Sequence, residues 1–384
     1  MHPSLTIQRF IDFLSEMPYP KIDPSELKVW PLDDRRSLFS WDEIAQDPDL
    51  PPRPIEEPCL AQVTELAARI VAAKKRSASV MLTYGAHLIK NGCGPLVNWL
   101  IENHWVSHVA THGAGIIHDW EYAFHGMSSE SVRENAPLGQ FGSWDETGRA
   151  INLAVLTGCL EGIGFGEAMG RFIEEDGITV PSADSLAADL VATPRSPHAG
   201  AKADMLAVLE NHRIPEGRWS VIHPLKAVSV PACCYRNSVP MTVHPGIGYD
   251  IFVNHPMFSG AAIGRAADTD VRIFTHSCYD LSGGVYLSVG SAIMSPQVFE
   301  KAFSAANNLR LQKGLELIAD HSIAVVDIQE SGDWDWSEGE PPKDNPAYYL
   351  RFCKSMHRMG GRVDYLCCDN RVVLSNLIEL LKQA

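Results

Sequence analysis

From Ala61 onward the chain sets apolar residues at Val63, Leu66, Ala67, Ile70 and Val71. That i, i+3, i+4, i+7, i+8 spacing predicts a helix with one apolar face. It runs into Lys74, Lys75 and Arg76, cations that suit the negative end of the helix dipole. The period then changes. Ser79–Tyr84 reads as a strand, Leu96, Val97, Leu100 and Ile101 as a helix, Val106–Ala110 as a second strand, and a further helix is expected from about Ile116. Ser143 followed three residues later by Glu146 fits a capping box opening a long helix through Ile151, Val155 and Leu156. Further strands are expected at Met241–Val243, Arg272–Phe274, Val285–Val289, Ile323–Ile328 and Val363–Cys367, with helices at 199–211, 296–309, 346–358 and 371–382.

Alternating strands and helices imply a parallel sheet with helices on both faces, an α/β fold of Rossmann-like, three-layer type. About seven strands in one sheet would use most of the chain. Residues 1–57 differ: PYPKIDP and DPDLPPRPIEEP are rich in turns, so this segment reads as an N-terminal arm wrapping a neighbour or a rim, and 58–384 as the folded domain. Gly162-Ile-Gly-Phe-Gly166 is close to a dinucleotide fingerprint in spelling, but it follows a helix rather than a strand and reads as a helix break.

Composition narrows the partners. A formal net charge of -15 and a pI of about 5.4 give no basic field to hold nucleic acid or an anionic membrane. An acidic surface favours encounter with cations such as polyamines, or serves solubility alone. The nine cysteines form no C-x-x-C pair, which is ordinary usage in a reducing compartment. The opening residues MHPSLTIQRFIDFLSEM lack a basic segment followed by an apolar one, so a cytoplasmic location is expected.

Chemistry is sought at strand ends, where glycine loops let the backbone approach a pyrophosphate. Two loops qualify: Gly85-Ala-His-Leu-Ile-Lys-Asn-Gly92 after the first strand, and Thr111-His-Gly-Ala-Gly-Ile-Ile-His-Asp119 after the next. Either they line a dinucleotide cleft or their glycines turn tight corners. His118, Asp119 and Glu121 stand together at a helix start, and a histidine beside carboxylates can act as a general base. His112, His244 and His255 fall in loops expected at the same rim, where capping or core roles compete with catalysis. No spacing supports a metal site. Trp334, Asp335, Trp336 and Glu338 can grip a cation by ring faces and carboxylates, or cap a subunit edge.

These loops resemble those of the deoxyhypusine synthase family, which carries G-S-N-x-x-x-x-G and, one βα unit later, T-T-A-G-G-x-x-x-D. Val239-Pro240 with Gly248-Tyr-Asp250 is similar to the family's I-P…G-D segment, and Val285-Tyr-Leu-Ser-Val-Gly290 to its L-G-G-G turn. The resemblance covers roughly residues 76–345 through short motifs. It implies an NAD-binding fold, often a homotetramer with sites between subunits, that oxidises spermidine and transfers its aminobutyl group. It places Gly85, Ala86, His87, Thr111, His112, Gly113, Ala114, Gly115 and Asp119 at the NAD, and Asp250 near the amine. Where the family has an asparagine and two glutamates, this chain has His87, Ile117 and His118. Ser295-Pro-Gln297 stands at the family's K-H-H segment.

The family's Trp-Gly-Lys, whose lysine forms an imine with the transferred group, is missing from DWDWSEGEPPKDNP, where Lys343 lies in a polar loop. Imine formation needs a neutral amine on a long side chain, which only lysine supplies. Deoxyhypusine synthesis itself is therefore not expected. Two readings remain. One is an NAD-dependent enzyme of a small amine or amino acid, with His118, Glu121 and Asp250 as catalytic groups and Asp250, Trp334, Asp335 and Trp336 gripping the substrate. The other is a diverged ligand-binding or scaffold protein on the same fold.

Overall fold

The computed structural model describes residues 19–330 and 334–384; the first part of the expected arm, through 18, lies outside the described residues. Six parallel strands form the central sheet: β2 (Val80–Tyr84), β3 (His108–Thr111), β7 (Met241–Val243), β8 (Val285–Val289), β9 (Ser322–Asp327) and β10 (Arg362–Cys367). Their spatial order is β7-β3-β2-β8-β9-β10. The chain therefore builds outward from β2 in one direction, then returns to its other side and builds outward again. This is the doubly wound order, with its reversal between β2 and β8.

Every residue of β2 and of β8 is buried, as expected of strands covered on both faces. The period-2 alternation divides their side chains between two layers. Leu82, Val109, Leu287 and Val326 join helices Cys59–Lys75, Gly94–Glu102, Gly113–His125 and Asn370–Leu381 on one face. Met81, Ala110, Tyr286 and Val325 meet Phe274, Phe299, Phe303 and Met356 on the other. Val63, Leu66 and Ile70 of the 59–75 helix are buried as the sequence period requires; each stabilises by about 1.5–3 kcal/mol relative to exposure.

Three expectations are corrected. Arg272–Phe274 is no strand but part of helix Gly260–Tyr279, whose buried Ile263, Ala266, Asp270, Phe274 and Cys278 repeat every three or four residues. That longer period overrides the local β propensity of Val-Arg-Ile-Phe. The capping box does not close: helix Asp145–Glu161 has no side-chain cap, and the Glu146 carboxylate instead accepts from the Leu32 N–H at 2.6 Å. Backbone bonds from Trp30 N to Ser143 O and from Asp145 N to Trp30 O dock the incoming segment there. One seven-stranded sheet is replaced by the six-stranded sheet and two antiparallel pairs, β1 (Ser37–Ser40) with β4 (Met127–Glu130), and β5 (Gly177–Val180) with β6 (Gly217–Ser220).

The Gly162–Gly166 segment is the expected helix break: Gly162 ends one helix at φ +76° and Gly164 caps the next. Residues 19–57 of the arm lie on their own chain, burying Leu32, Arg35 and Trp41. Among the described residues no helix is long and apolar enough to cross a membrane.

Candidate functional site at the carboxyl edge of the sheet

At the reversal point the ends of β2 and β8 touch. Gly85 N donates to Val289 O at 3.0 Å, and a Cβ on Gly85 would lie 2.0 Å from Gly290 O. Gly290 itself adopts φ +59°, a left-handed conformation that costs glycine nothing. Both strands then enter helices, Ala86–Lys90 and Met294–Gln312, whose N-cap residues supply no side-chain bond. Side chains from elsewhere reach both starts: Ala86 N donates to His112 Nε2 and Ser295 N to Ser291 Oγ, each at 3.3 Å.

Beside this contact is a cavity of about 310 Å³, walled by His87, Asn91, Gly290, Ile328, Cys368 and Asn370 among others. Its walls come from the loops after β2, β8, β9 and β10. Ile328 and His87 are exposed, so an apolar and an aromatic surface stand open at the mouth. The volume is at the low end for ligand pockets.

A second cavity of about 270 Å³ opens on the other side of the 86–90 helix, which presents His87 to the first and Lys90 to the second. The three expected catalytic groups, His118, Glu121 and Asp250, all line it. Glu121 is buried and binds Arg35 through two bonds of 2.7 and 2.9 Å. It also accepts from Thr147 at 3.0 Å and Ser128 at 2.6 Å. The Arg35 guanidinium holds its pKa below the ordinary value despite burial. Such a filled carboxylate orients neighbours; it has no acceptor capacity left.

His118 Nδ1 meets Ser128 Oγ at 2.7 Å. Because the Ser128 hydroxyl donates to Glu121, Nδ1 must carry the hydrogen, which leaves Nε2 as the acceptor. Burial lowers the His118 pKa to about 4, outweighing the opposite pull of Glu121. The ring is therefore neutral near pH 7 and presents Nε2 as an acceptor.

Asp250 is 2% exposed. Its carboxylate accepts from Gly246 N at 2.7 Å and from the Ala114 N–H, so it caps helix Gly113–His125 together with His112, whose Nδ1 also accepts from Ala114 N. Oδ1 has no partner. Burial raises the Asp250 pKa to about 6 against those two N–H bonds.

The cofactor residues expected in the second loop are placed differently. A Cβ on Gly113 would lie 2.2 Å from the Asp250 carboxylate, and one on Gly115 2.1 Å from Thr111 Oγ1. Thr111 in turn donates to Tyr84 O. These glycines are accounted for by internal packing, and the start of this helix is filled by Asp250 and His112. Asp119 lies in the core, accepting from Ser229 Oγ at 2.5 Å and Val230 N at 2.9 Å; it caps helix Val230–Arg236 and lines neither cavity.

The other histidines do not share one rim. His244 sits in a buried chain with Thr242 and His108, and His255 holds Asp145 at 3.0 Å. Trp334, Asp335 and Trp336 line a separate cavity beside the edge strand β10, so within one chain they do not meet Asp250. Lys343 is exposed. Sequence reasoning missed Arg35, hidden in the proline-rich arm, as well as Lys90, Ser128 and Ile328; Gly290 was visible only as a strand end.

No family model matches the chain, and no curated protein matches it. Among solved structures it is similar to an apo arginine dihydrolase of the cyanobacterial ornithine–ammonia cycle (15% identity, 86% of this chain and 34% of that one, TM-score 0.42). It is similar also to a putative LOR/SDH protein of Methanococcus maripaludis (15%, 87% and 74%, TM-score 0.40). A putative deoxyhypusine synthase of Entamoeba histolytica matches at 9% identity over 84% of this chain and 88% of that one, TM-score 0.39. The chain spans about a third of the length of the first of these. The Rossmann-like, three-layer assignment stands on the strand order and the two covered faces of the sheet.

Proposed function

We propose that this protein is a nicotinamide-dinucleotide-dependent enzyme of a small amine or amino acid, diverged from deoxyhypusine synthesis. One observation carries the reading: the strand-order reversal between β2 and β8 opens, at its carboxyl edge, onto two adjoining cavities of different character. One is walled by Gly290, exposed Ile328 and His87, and the polar side chains of Asn91, Asp327, Asp369 and Asn370; the other is walled by buried ionisable groups. Gly85, Ala86, His87, Gly290 and Ile328 would hold NAD. When bound, that group supplies a hydride acceptor.

This chain's own residues do the rest. Asp250 receives a substrate ammonium, and neutral His118 accepts a proton at Nε2. Ser128, Glu121 and Arg35 hold the imidazole in that tautomer. An assembly of several copies, as the resemblance implies, would add groups from a second chain.

The test is calorimetry of NAD and NADH on the full chain, with His87→Ala and Ile328→Asp alongside. Both positions are exposed, so the variants are expected to fold, as circular dichroism would check. Micromolar binding weakened at least ten-fold in both variants supports the reading. No binding by the wild type up to millimolar concentrations overturns it and favours the diverged ligand-binding or scaffold protein.

A further inference from the structure

The ionisable walls of the 270 Å³ cavity can be balanced group by group. Five side chains lining it carry charge near neutral pH: Arg35, Lys90, Glu121, Glu130 and Asp250. Arg35 and Glu121 consume each other, and Arg35 Nε is bound by Ser37 at 3.1 Å. The two oxygens of Glu130 accept from Gly142 N and Asn135 Nδ2, both at 2.9 Å. Two groups are left over. Lys90 is half-buried, and among the described residues its ammonium makes no hydrogen bond or ion pair, only a contact over the Phe39 ring 5.9 Å from its centroid. Asp250 keeps one oxygen unpartnered although its side chain is almost wholly buried.

Unmatched groups of this kind are costly unless something completes them. A bare diamine would complete Asp250 and repel Lys90. A bare carboxylate would do the reverse. A molecule carrying both charges satisfies both.

We infer that this cavity selects a zwitterionic amino acid, its carboxylate received by Lys90 and its ammonium by Asp250. The inference deepens the substrate side of the reading given above and rests on it for the identity of the site. Half-burial disfavours the charged form of Lys90, a penalty that an incoming carboxylate would relieve. The 270 Å³ cavity lies just under the usual range of small-molecule pockets. Lys90 thereby becomes a specificity-determining residue, set on the same short helix that faces the dinucleotide crevice.

Calorimetry of the full chain with three probes decides the matter: L-ornithine, putrescine, which is ornithine without its carboxylate, and 5-aminopentanoate, which is ornithine without its α-amine. L-Ornithine is expected to bind at least ten-fold more tightly than either. Lys90→Met should abolish its advantage over putrescine, weakening L-ornithine while putrescine, relieved of the like charge, binds more tightly. Asp250→Asn should weaken L-ornithine and putrescine together, with the fold checked by circular dichroism.

Equal affinity of the wild type for all three probes, or no binding of any at millimolar concentration with or without NAD, overturns the inference. Lys90→Met, at the rim and free of polar partners, keeps the test decisive should Asp250→Asn fail to fold. Discrimination among the probes without NAD binding would leave this inference standing and sink the dinucleotide reading. NAD binding without discrimination would do the opposite.

Discussion

The two cavities flanking the 86–90 helix are made in opposite ways. The crevice at the strand-order reversal is shaped at its base by main chain: Gly85 lies too close to the Gly290 carbonyl for a side chain, and Gly290 turns at φ +59°. The neighbouring cavity is shaped by side chains whose hydrogen bonds are nearly all spoken for, down to four donors on the Glu121 carboxylate. A main-chain receptor tolerates variation in its side chains and binds what any such fold can bind. A side-chain receptor encodes a particular ligand, and a single change in it leaves a buried group stranded.

That contrast sets the expected sizes of effect. The largest belongs to the side-chain cavity. Arg35→Met strands the buried Glu121 carboxylate and should cost about 3–5 kcal/mol, read as a shift in the urea midpoint. The double change Arg35→Met with Glu121→Met should recover most of it; if the double variant is no better than the single, the pair is not the reason for the loss.

Next is Gly85→Ala in the main-chain crevice, where the new methyl meets the Gly290 carbonyl at 2.0 Å. Forcing that junction apart should cost about 1–3 kcal/mol, with loss of NAD affinity in the same variant. Unchanged affinity would remove the reversal point from the binding site.

The smallest effect is one of pH. Burial raises the Asp250 pKa to about 6, so the carboxylate is ionised above that value and neutral below it. Amine affinity should therefore fall about ten-fold between pH 7 and pH 5. An ordinary carboxylate would hold its affinity to about pH 4, and a flat profile over this interval would separate Asp250 from the amine.

The same contrast explains what could be read from the sequence. Main-chain architecture follows from hydrophobic period and glycine position, so β2, β3, β7, β8, β9 and β10, and the loop at Gly85, were legible. Charge matching across the fold leaves no local trace. Arg35 sits in a proline-rich stretch far from Glu121 in sequence, and nothing nearby marks it as a buried partner. Asp119 looked like a loop carboxylate because its spacing from Gly113 fits a family pattern, yet one turn of helix swings it to Ser229. Glu146 matched a capping box by spacing, but the backbone of Leu32 reaches it first. His118, Glu121 and Asp250 were found together because two share a helix and the third follows a strand end.

The touching glycines, 85 and 290, lie about two hundred residues apart in the chain. Everything between them must be synthesised and largely folded before β8 can settle against β2, and contacts of such long sequence separation form slowly. The crevice at the strand-order reversal is thus the seam along which the molecule closes. Until then the inner edge of β2 is an open strand, prone to wrong pairing. A dinucleotide that spans this seam would act as a clasp on the newly made protein as well as a reagent for the finished one.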